Sequence, residues 1–251
     1  MNKESLDSYA GRVSHVRALI FDLETADFNA NVGFLLCCGY KWLGSKKVEC
    51  LRIDGFDGYD KDVTNDRRLV VAVRNLLSEA DMVISWYGRN RCFDEPFLRT
   101  RVAKYGLPPL PPFLRWDGQR EARNYFKFNS NRLDTVGRFF GVDLKTHFDG
   151  SVWMKAIAGD QRSMNKIVDH CKRDVNQLEQ VYLRMRAHAP HPNMNVMAQL
   201  EGKVCPCCLS NKLKREGYRH TKVGRMNQYR CKDCGYMPSE GKHVGGRIEV
   251  R

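Results

Sequence analysis

Residues 16–25, VRALIFDLET, decide the reading of this chain: an apolar run rich in β-forming residues that closes in polar ones. That is the pattern of a strand buried along most of its length. Within it Asp22 and Glu24 stand two apart, so in an extended backbone both carboxylates project from one face. Like charges held side by side against apolar neighbours are costly to bury. A divalent cation between them reverses the sign, because hard oxygen ligands suit Mg2+ or Mn2+. The other reading is a strand end whose acids face water.

Working outward, residues 29–31 offer a turn into VGFLLCCGYKWL (32–43), a second strand. Residues 44–46 turn the chain again into KKVECLRIDG, a third strand with alternating apolar and polar residues. Thr64 and Asn65 are candidate N-caps for DRRLVVAVRNLLSEA (66–80), whose apolar residues recur at helical spacing. A short fourth strand follows at DMVISWYG (81–88), then a helix over 95–105 that Gly106 caps before a proline-rich stretch. Residues 129–131 cap a helix over 132–141, ended by Gly141. A last helix over 163–186 carries apolar side chains at 167, 168, 171, 175, 178, 181, 182 and 185, one continuous face. Three strands joined by tight turns make an antiparallel meander, and the first long helix brings the fourth strand back beside the first. The expectation is an α/β domain, a mixed sheet flanked by helices. Prolines at 190 and 192 end the periodicity, which divides the chain into a domain over 1–187, a linker over 188–202 and a small domain over 203–251.

Apolar residues make up 42% of the 251, and Lys and Arg outnumber Asp and Glu by 42 to 29, for a formal charge of +13. A polyanion is the partner such a balance favours. Residues 203–251 hold 12 basic and 4 acidic side chains. No stretch approaches the roughly 20 apolar residues of a membrane span, and the polar start MNKESLDSYAGR has no secretory apolar core. A soluble, cytoplasmic protein without membrane contact is expected. Reducing surroundings disfavour disulfides among the ten cysteines. Cys37, Cys38, Cys50, Cys92, Cys171 and Cys207 read as small buried hydrophobes.

The other four form two C-x-x-C pairs, Cys205 with Cys208 and Cys231 with Cys234, separated by 22 residues. Two such pairs supply the four thiolates of a structural Zn2+ site. Cys207 competes with Cys208, but the C-x-x-C register favours Cys208. Between the pairs, KREGYRHTKVGRMNQYR has glycines near both turns and strand-like stretches, as a two-stranded ribbon requires. The basic balance, with Tyr218, Tyr229 and Tyr236 interleaved, favours nucleic acid as this ribbon's partner. A purely structural role or a protein contact is the alternative. The ribbon looks like those of transposase N-termini and similar DNA-binding proteins, from C-P-x-C through Gln228-Tyr229-Arg230-Cys231-Lys232-Asp233-Cys234-Gly235.

Two further stretches carry acids where a fold would bury them. Asp94, in NRCFDEPFLRTR, sits at the mouth of a helix with Pro96 in its first turn, where an ordinary N-cap is the competing role. His170 and Asp174, at i and i+4, stack on one side of the last helix, about 100° from the Cys171–Val175 line. A polar rim is the alternative there. Taken in order, Phe21-Asp22-Leu23-Glu24-Thr25, Asn90-Arg91-Cys92-Phe93-Asp94 with Pro96-Phe97-Leu98, and His170-Cys171-Lys172-Arg173-Asp174-Val175 resemble the motifs of the DEDD superfamily of 3′–5′ exonucleases. Trp116-Asp117 and Arg132-Leu133-Asp134 are similar to its middle segment. The nearest look-alikes are predicted RNase H-like exonucleases often found in bacteria and phages, so the resemblance implies an RNase H-like fold and leaves a phage-encoded origin in a bacterial host open. It further implies that Asp22, Glu24, Asp94 and Asp174 hold two Mg2+ or Mn2+ ions, with no small-molecule cofactor, and that His170 is the candidate general base. Arg89, Arg91, Arg99 and Arg101 would then be candidates for holding backbone phosphates of DNA or RNA. One feature departs from the family, in which the last Asp follows a tyrosine by four residues or a histidine by five. Here histidine stands at the tyrosine spacing. A structure-specific endonuclease and a catalytically inactive nucleic-acid-binding protein are the competing functions.

Overall fold

The computed structural model describes residues 16–86, 93–142, 149–198, 200, 202–221 and 224–240. The chain forms two compact units, one over Val16–Met185 and one from Arg186 onward.

In the first unit five strands form one sheet: β1 (Ala18–Thr25), β2 (Leu35–Trp42), β3 (Glu49–Arg52), β4 (Met82–Ser85) and β5 (Leu114–Asp117), in the order β3-β2-β1-β4-β5. β1 to β3 are the expected antiparallel meander, with Asp22 opposite Gly39 and Gly39 opposite Cys50. β4 runs parallel to β1, and β5 parallel to β4. β1 is central and buried on both faces through Phe21; only from Asp22 does polar chemistry enter its pattern. β5 escaped the sequence reading because its four residues follow prolines and show no usable period.

The helices are α1 (Arg67–Ser78), α2 (Asp94–Lys104), α3 (Gly118–Tyr125), α4 (Leu133–Phe139), α5 (Gly150–Ile157) and α6 (Gln161–Met185). α1 buries Leu69, Val70, Val73 and Leu77, one helical face. Its cap corrects the expectation of Thr64 or Asn65: the residue at that position is Asp66, and its carboxylate turns inward. It accepts from the Leu35 amide at 2.8 Å, from Arg101 Nη2 at 2.6 Å and from the Tyr105 hydroxyl at 2.6 Å. Arg101 also donates to the Gly33 carbonyl at 2.7 Å. This buried cluster ties α2 to the entry of β2 and the start of α1.

α6 lies against β1, β2 and β3. It packs tightly at Gly39, where an added Cβ would stand 2.8 Å from Cys171 Sγ and 3.2 Å from both the Cys171 carbonyl and Val175 Cγ2. A strand residue without a side chain lets the helix backbone come down onto the sheet. The polar Lys41 and Glu179 pair at 2.6 Å further along the same contact.

In the second unit β6 (Leu213–Thr221), β7 (Gly224–Cys231) and β8 (Ser239–Glu240) form an antiparallel sheet in that order. The stretch expected as a linker, 188–202, contains a short helix, α7 (Asn195–Ala198). Among the described residues no helix is long and apolar enough to cross a membrane.

Candidate active site

The close approach at Gly39 sets the site. Cys171 and Val175 face the sheet at that glycine, so residues 170 and 174, one step round the helix, are aimed along the sheet toward the end of β1. His170 Nε2 stands 3.9 Å from Glu24 Oε1 and 3.8 Å from Asp174 Oδ2. Its ring packs edge-on against Trp153 of α5, centroids 5.8 Å apart. Instead of a polar rim, His170 and Asp174 are buried, at 8% and 9% exposure. Asp94 lies in the first turn of α2 with 3% of its surface exposed, after the cap residue Phe93. An Asp at a helix mouth ordinarily faces water. This one instead takes a hydrogen bond from the backbone of Leu23, the residue between Asp22 and Glu24.

These three stretches bring Glu24, Asp94 and Asp174 close enough for the charge of each to act on Asp22. Burial pushes the Asp22 carboxyl well above the ordinary carboxylate range, and the charges of Glu24, Asp94 and Asp174 each push it further; a hydrogen bond with the Cys171 thiol acts the other way. Asp94 is pushed up to about 8, by burial first, with the Leu23 backbone bond opposing and the Asp117 charge adding. Such crowding of buried acids is unfavourable unless a cation offsets it. The donors are hard oxygens, which fit Mg2+ or Mn2+.

Asp117 is a fifth acid at this end of the sheet. It ends β5 and caps α3, accepting from the backbones of Gln119 at 3.0 Å and Arg120 at 3.1 Å. Sequence reasoning met it only as part of a short family-like segment. Its only local signal is the apolar–acid step Trp116-Asp117, too short to read without the resemblance.

The arginines expected around the second motif divide. Arg101 is 2% exposed and committed to Asp66, which corrects its expected place on a phosphate. Arg99 pairs with Glu95 at 2.6 Å, and Glu95 also holds Arg115 at 2.6 Å. Arg89, Asn90, Arg91 and Cys92 lie outside the described residues.

In the second unit the sulfurs of Cys205, Cys208, Cys231 and Cys234 lie within 4.8 Å of one another. Cys205 and Cys234 are 3.7 Å apart, Cys208 and Cys231 3.6 Å. Thiolates around a tetrahedral zinc at about 2.3 Å stand about 3.8 Å apart, so the cluster fits a small zinc ribbon. The same turn is built twice. The amide after each C-x-x-C bonds back to the carbonyl of its first cysteine, Leu209 to Cys205 at 2.8 Å and Gly235 to Cys231 at 3.0 Å. Both of those residues take positive φ, 58° and 80°. Cys207 points instead to the Arg186 carbonyl at 3.8 Å. On the ribbon surface Tyr218 is 44% exposed, with the Arg215 and Arg225 guanidinium groups 5.0 and 4.4 Å from its ring centre.

A family model described as the RNase_H superfamily matches residues 19–186. No curated protein matches the chain. Among solved structures, one titled "apo form of the nuclease" is similar at 15% identity, covering 73% of this chain and 79% of its own, with a TM-score of 0.40. Brucella melitensis NrnC is similar at 17% identity, covering 71% of this chain and 78% of its own, with a TM-score of 0.39. A second structure of that protein, titled "with bound Mg2+", gives 16% identity, 68% and 77% coverage and a TM-score of 0.38.

Proposed function

The chain belongs to the RNase H superfamily over residues 19–186, and from that premise we propose that it is a divalent-metal-dependent nuclease, a 3′–5′ exonuclease of the DEDD kind acting on DNA or RNA. The observation that carries the proposal is the approach of Glu24 and the buried Asp94 and Asp174 to Asp22, whose carboxyl is raised by burial and by the charge of each of the three.

In this reading Asp22, Glu24, Asp94 and Asp174 hold two Mg2+ or Mn2+ ions, with Asp22 central because its charge couples to all the others. Two such ions would supply an activated water and stabilise charge on the leaving 3′ oxygen. The protein's own part is position. β1 fixes Asp22 and Glu24 on one face, the Leu23 backbone bond fixes Asp94, and the Gly39 contact fixes α6. His170, within 4 Å of both Glu24 and Asp174, orients an attacking water and takes its proton; imidazole is suited to this near neutral pH. It occupies the position at which the family places a tyrosine. The second unit holds structural zinc through Cys205, Cys208, Cys231 and Cys234, and its basic surface with Tyr218 grips the nucleic acid.

The test is digestion of matched DNA and RNA strands, labelled at the 5′ end, with Mg2+ or Mn2+. Products shortening stepwise from the 3′ end are expected. Internal cuts without a ladder would turn the assignment to an endonuclease. No cleavage with either ion on either strand would leave a binding protein.

A further inference from the structure

Cys37, Cys50 and Cys171 were expected as separate small hydrophobes, yet their three sulfurs lie within 4.8 Å of one another. The fold explains how. Gly39 pairs with Cys50 across the β2–β3 ladder, so the two share a face of the sheet. Cys37, two residues before Gly39, shares that face too. The space a side chain at 39 would fill is taken by the Cys171 thiol descending from α6, which accepts from the Gly39 amide at 3.1 Å. Three elements therefore aim thiols at one point.

We propose that Cys37, Cys50 and Cys171 form a second thiolate metal site, for a soft ion such as Zn2+ and distinct from both the ribbon and the carboxylate cluster. Sulfurs around a trigonal ion at about 2.3 Å stand about 4.0 Å apart, inside the 4.8 Å within which these three lie. Hard Mg2+ does not compete for three sulfurs. Cys37 and Cys171 are fully buried, while Cys50 is partly exposed on β3, the edge of the sheet, which gives an ion a way in. Arg52 and Lys172 bring positive charge to Cys50, offsetting the negative charge that three thiolates leave on a divalent ion. Each ligating thiol gives up its proton to solvent as the metal binds.

The site adjoins the nuclease reading: Cys171 groups with Asp22 and Glu24 within 4.8 Å, and Glu24 stands opposite Cys37 in the β1–β2 ladder. The Cys171 sulfur is also 3.7 Å from Asp22 Oδ2 and 3.5 Å from the Asp22 carbonyl. A soft ion that engages Cys171 removes its hydrogen from Asp22 and adds a charge beside the carboxylates. Soft metal would therefore act as an inhibitor, a consequence that rests on the nuclease assignment, whereas the site itself does not.

The experiment is a Cd2+ titration of the full chain, reduced and metal-free, in excess Mg2+. It is followed by the ultraviolet sulfur-to-cadmium charge-transfer band, which carboxylate ligation does not produce. The wild type should saturate at two equivalents, Cys50→Ser at one, and the ribbon variant Cys231→Ser at one. Cys37→Ala should match Cys50→Ser, which guards against a folding defect peculiar to either. Saturation of the wild type at one equivalent, or of Cys50→Ser at two, overturns the site. Loss of two hydrogens in air with only one equivalent bound would also overturn it, in favour of a redox pair. Cleavage assays on the same samples read the second half: Cd2+ should inhibit the wild type at least tenfold more than Cys50→Ser. Two equivalents bound with equal inhibition of both proteins would retain the site and remove its regulatory role.

Discussion

Replacing Gly39 by alanine tests the contact that positions α6, the helix carrying His170 and Asp174. The new Cβ would meet Cys171 Sγ at 2.8 Å, short of ordinary contact by about 0.6–0.9 Å. The Cys171 carbonyl and Val175 Cγ2, both at 3.2 Å, block sideways escape. α6 must therefore lift from the sheet by about half an ångström, carrying His170 and Asp174 away from Glu24 and Asp22. Overpacking of this kind costs about 1–3 kcal/mol. In a chain of this size about 2 kcal/mol lowers Tm by roughly 4–8 °C. Misplacement of about 1 Å near reacting groups is worth about 100-fold in rate, so half of that should cost kcat about tenfold. Adding Cys171→Ala removes the nearest clashing atom. The double variant should thus be more stable than the two single effects predict, with a coupling of at least about 0.5 kcal/mol. Thermal melts and single-turnover rates on the four proteins make the cycle. Wild-type Tm and turnover in Gly39→Ala would show that the helix–sheet contact does not set the site.

Asp22→Asn should abolish metal-dependent cleavage yet leave the metal-free protein as stable as the wild type or more so, because it removes the acid on which three like charges act; a melt in chelator showing a large loss would contradict that. His170→Ala should lower kcat by roughly 100-fold or more, and His170→Tyr, which installs the tyrosine that the DEDD exonucleases this chain resembles carry at that spacing, should retain more activity than alanine. Equal rates for wild type and His170→Ala would remove the general-base role. Asp66→Asn should destabilise by about 3–5 kcal/mol, since it leaves the buried Arg101 charge uncompensated, measurable as a drop in the urea midpoint. Cys231→Ser, which breaks the four-cysteine cluster, should weaken nucleic-acid binding and flatten its salt dependence without lowering the Mg2+-dependent rate on saturating substrate.

Much of the sheet was legible because its central strands are long and apolar. VRALIFDLET, the turns after it and DMVISWYG fixed the meander and the parallel return of β4. β5 and α3 were not legible, since their few residues carry no periodicity and their pairing is decided by β4. The four acids could be named as a set only because three ordered motifs resemble those of the DEDD exonucleases; singly, Asp94 reads as a helix cap and Asp174 as part of a polar rim. The depth of their burial could not, nor the turning inward of Asp66 and Arg101, since the pattern of an exposed cap or a surface arginine looks the same in sequence. The meeting of Cys37, Cys50 and Cys171 was hidden for a different reason. It depends on the β2–β3 register and on the missing side chain at Gly39, which are tertiary facts.

Whether Asp22, Glu24, Asp94 and Asp174 together hold a pair of divalent ions, as proposed, is read by electron paramagnetic resonance of the full chain titrated with Mn2+. A spin-coupled Mn2+ pair is expected in the wild type, reduced to a single weak ion or none in Asp22→Asn and Asp174→Ala. A wild-type spectrum of isolated Mn2+ only, unchanged in both variants, would contradict it.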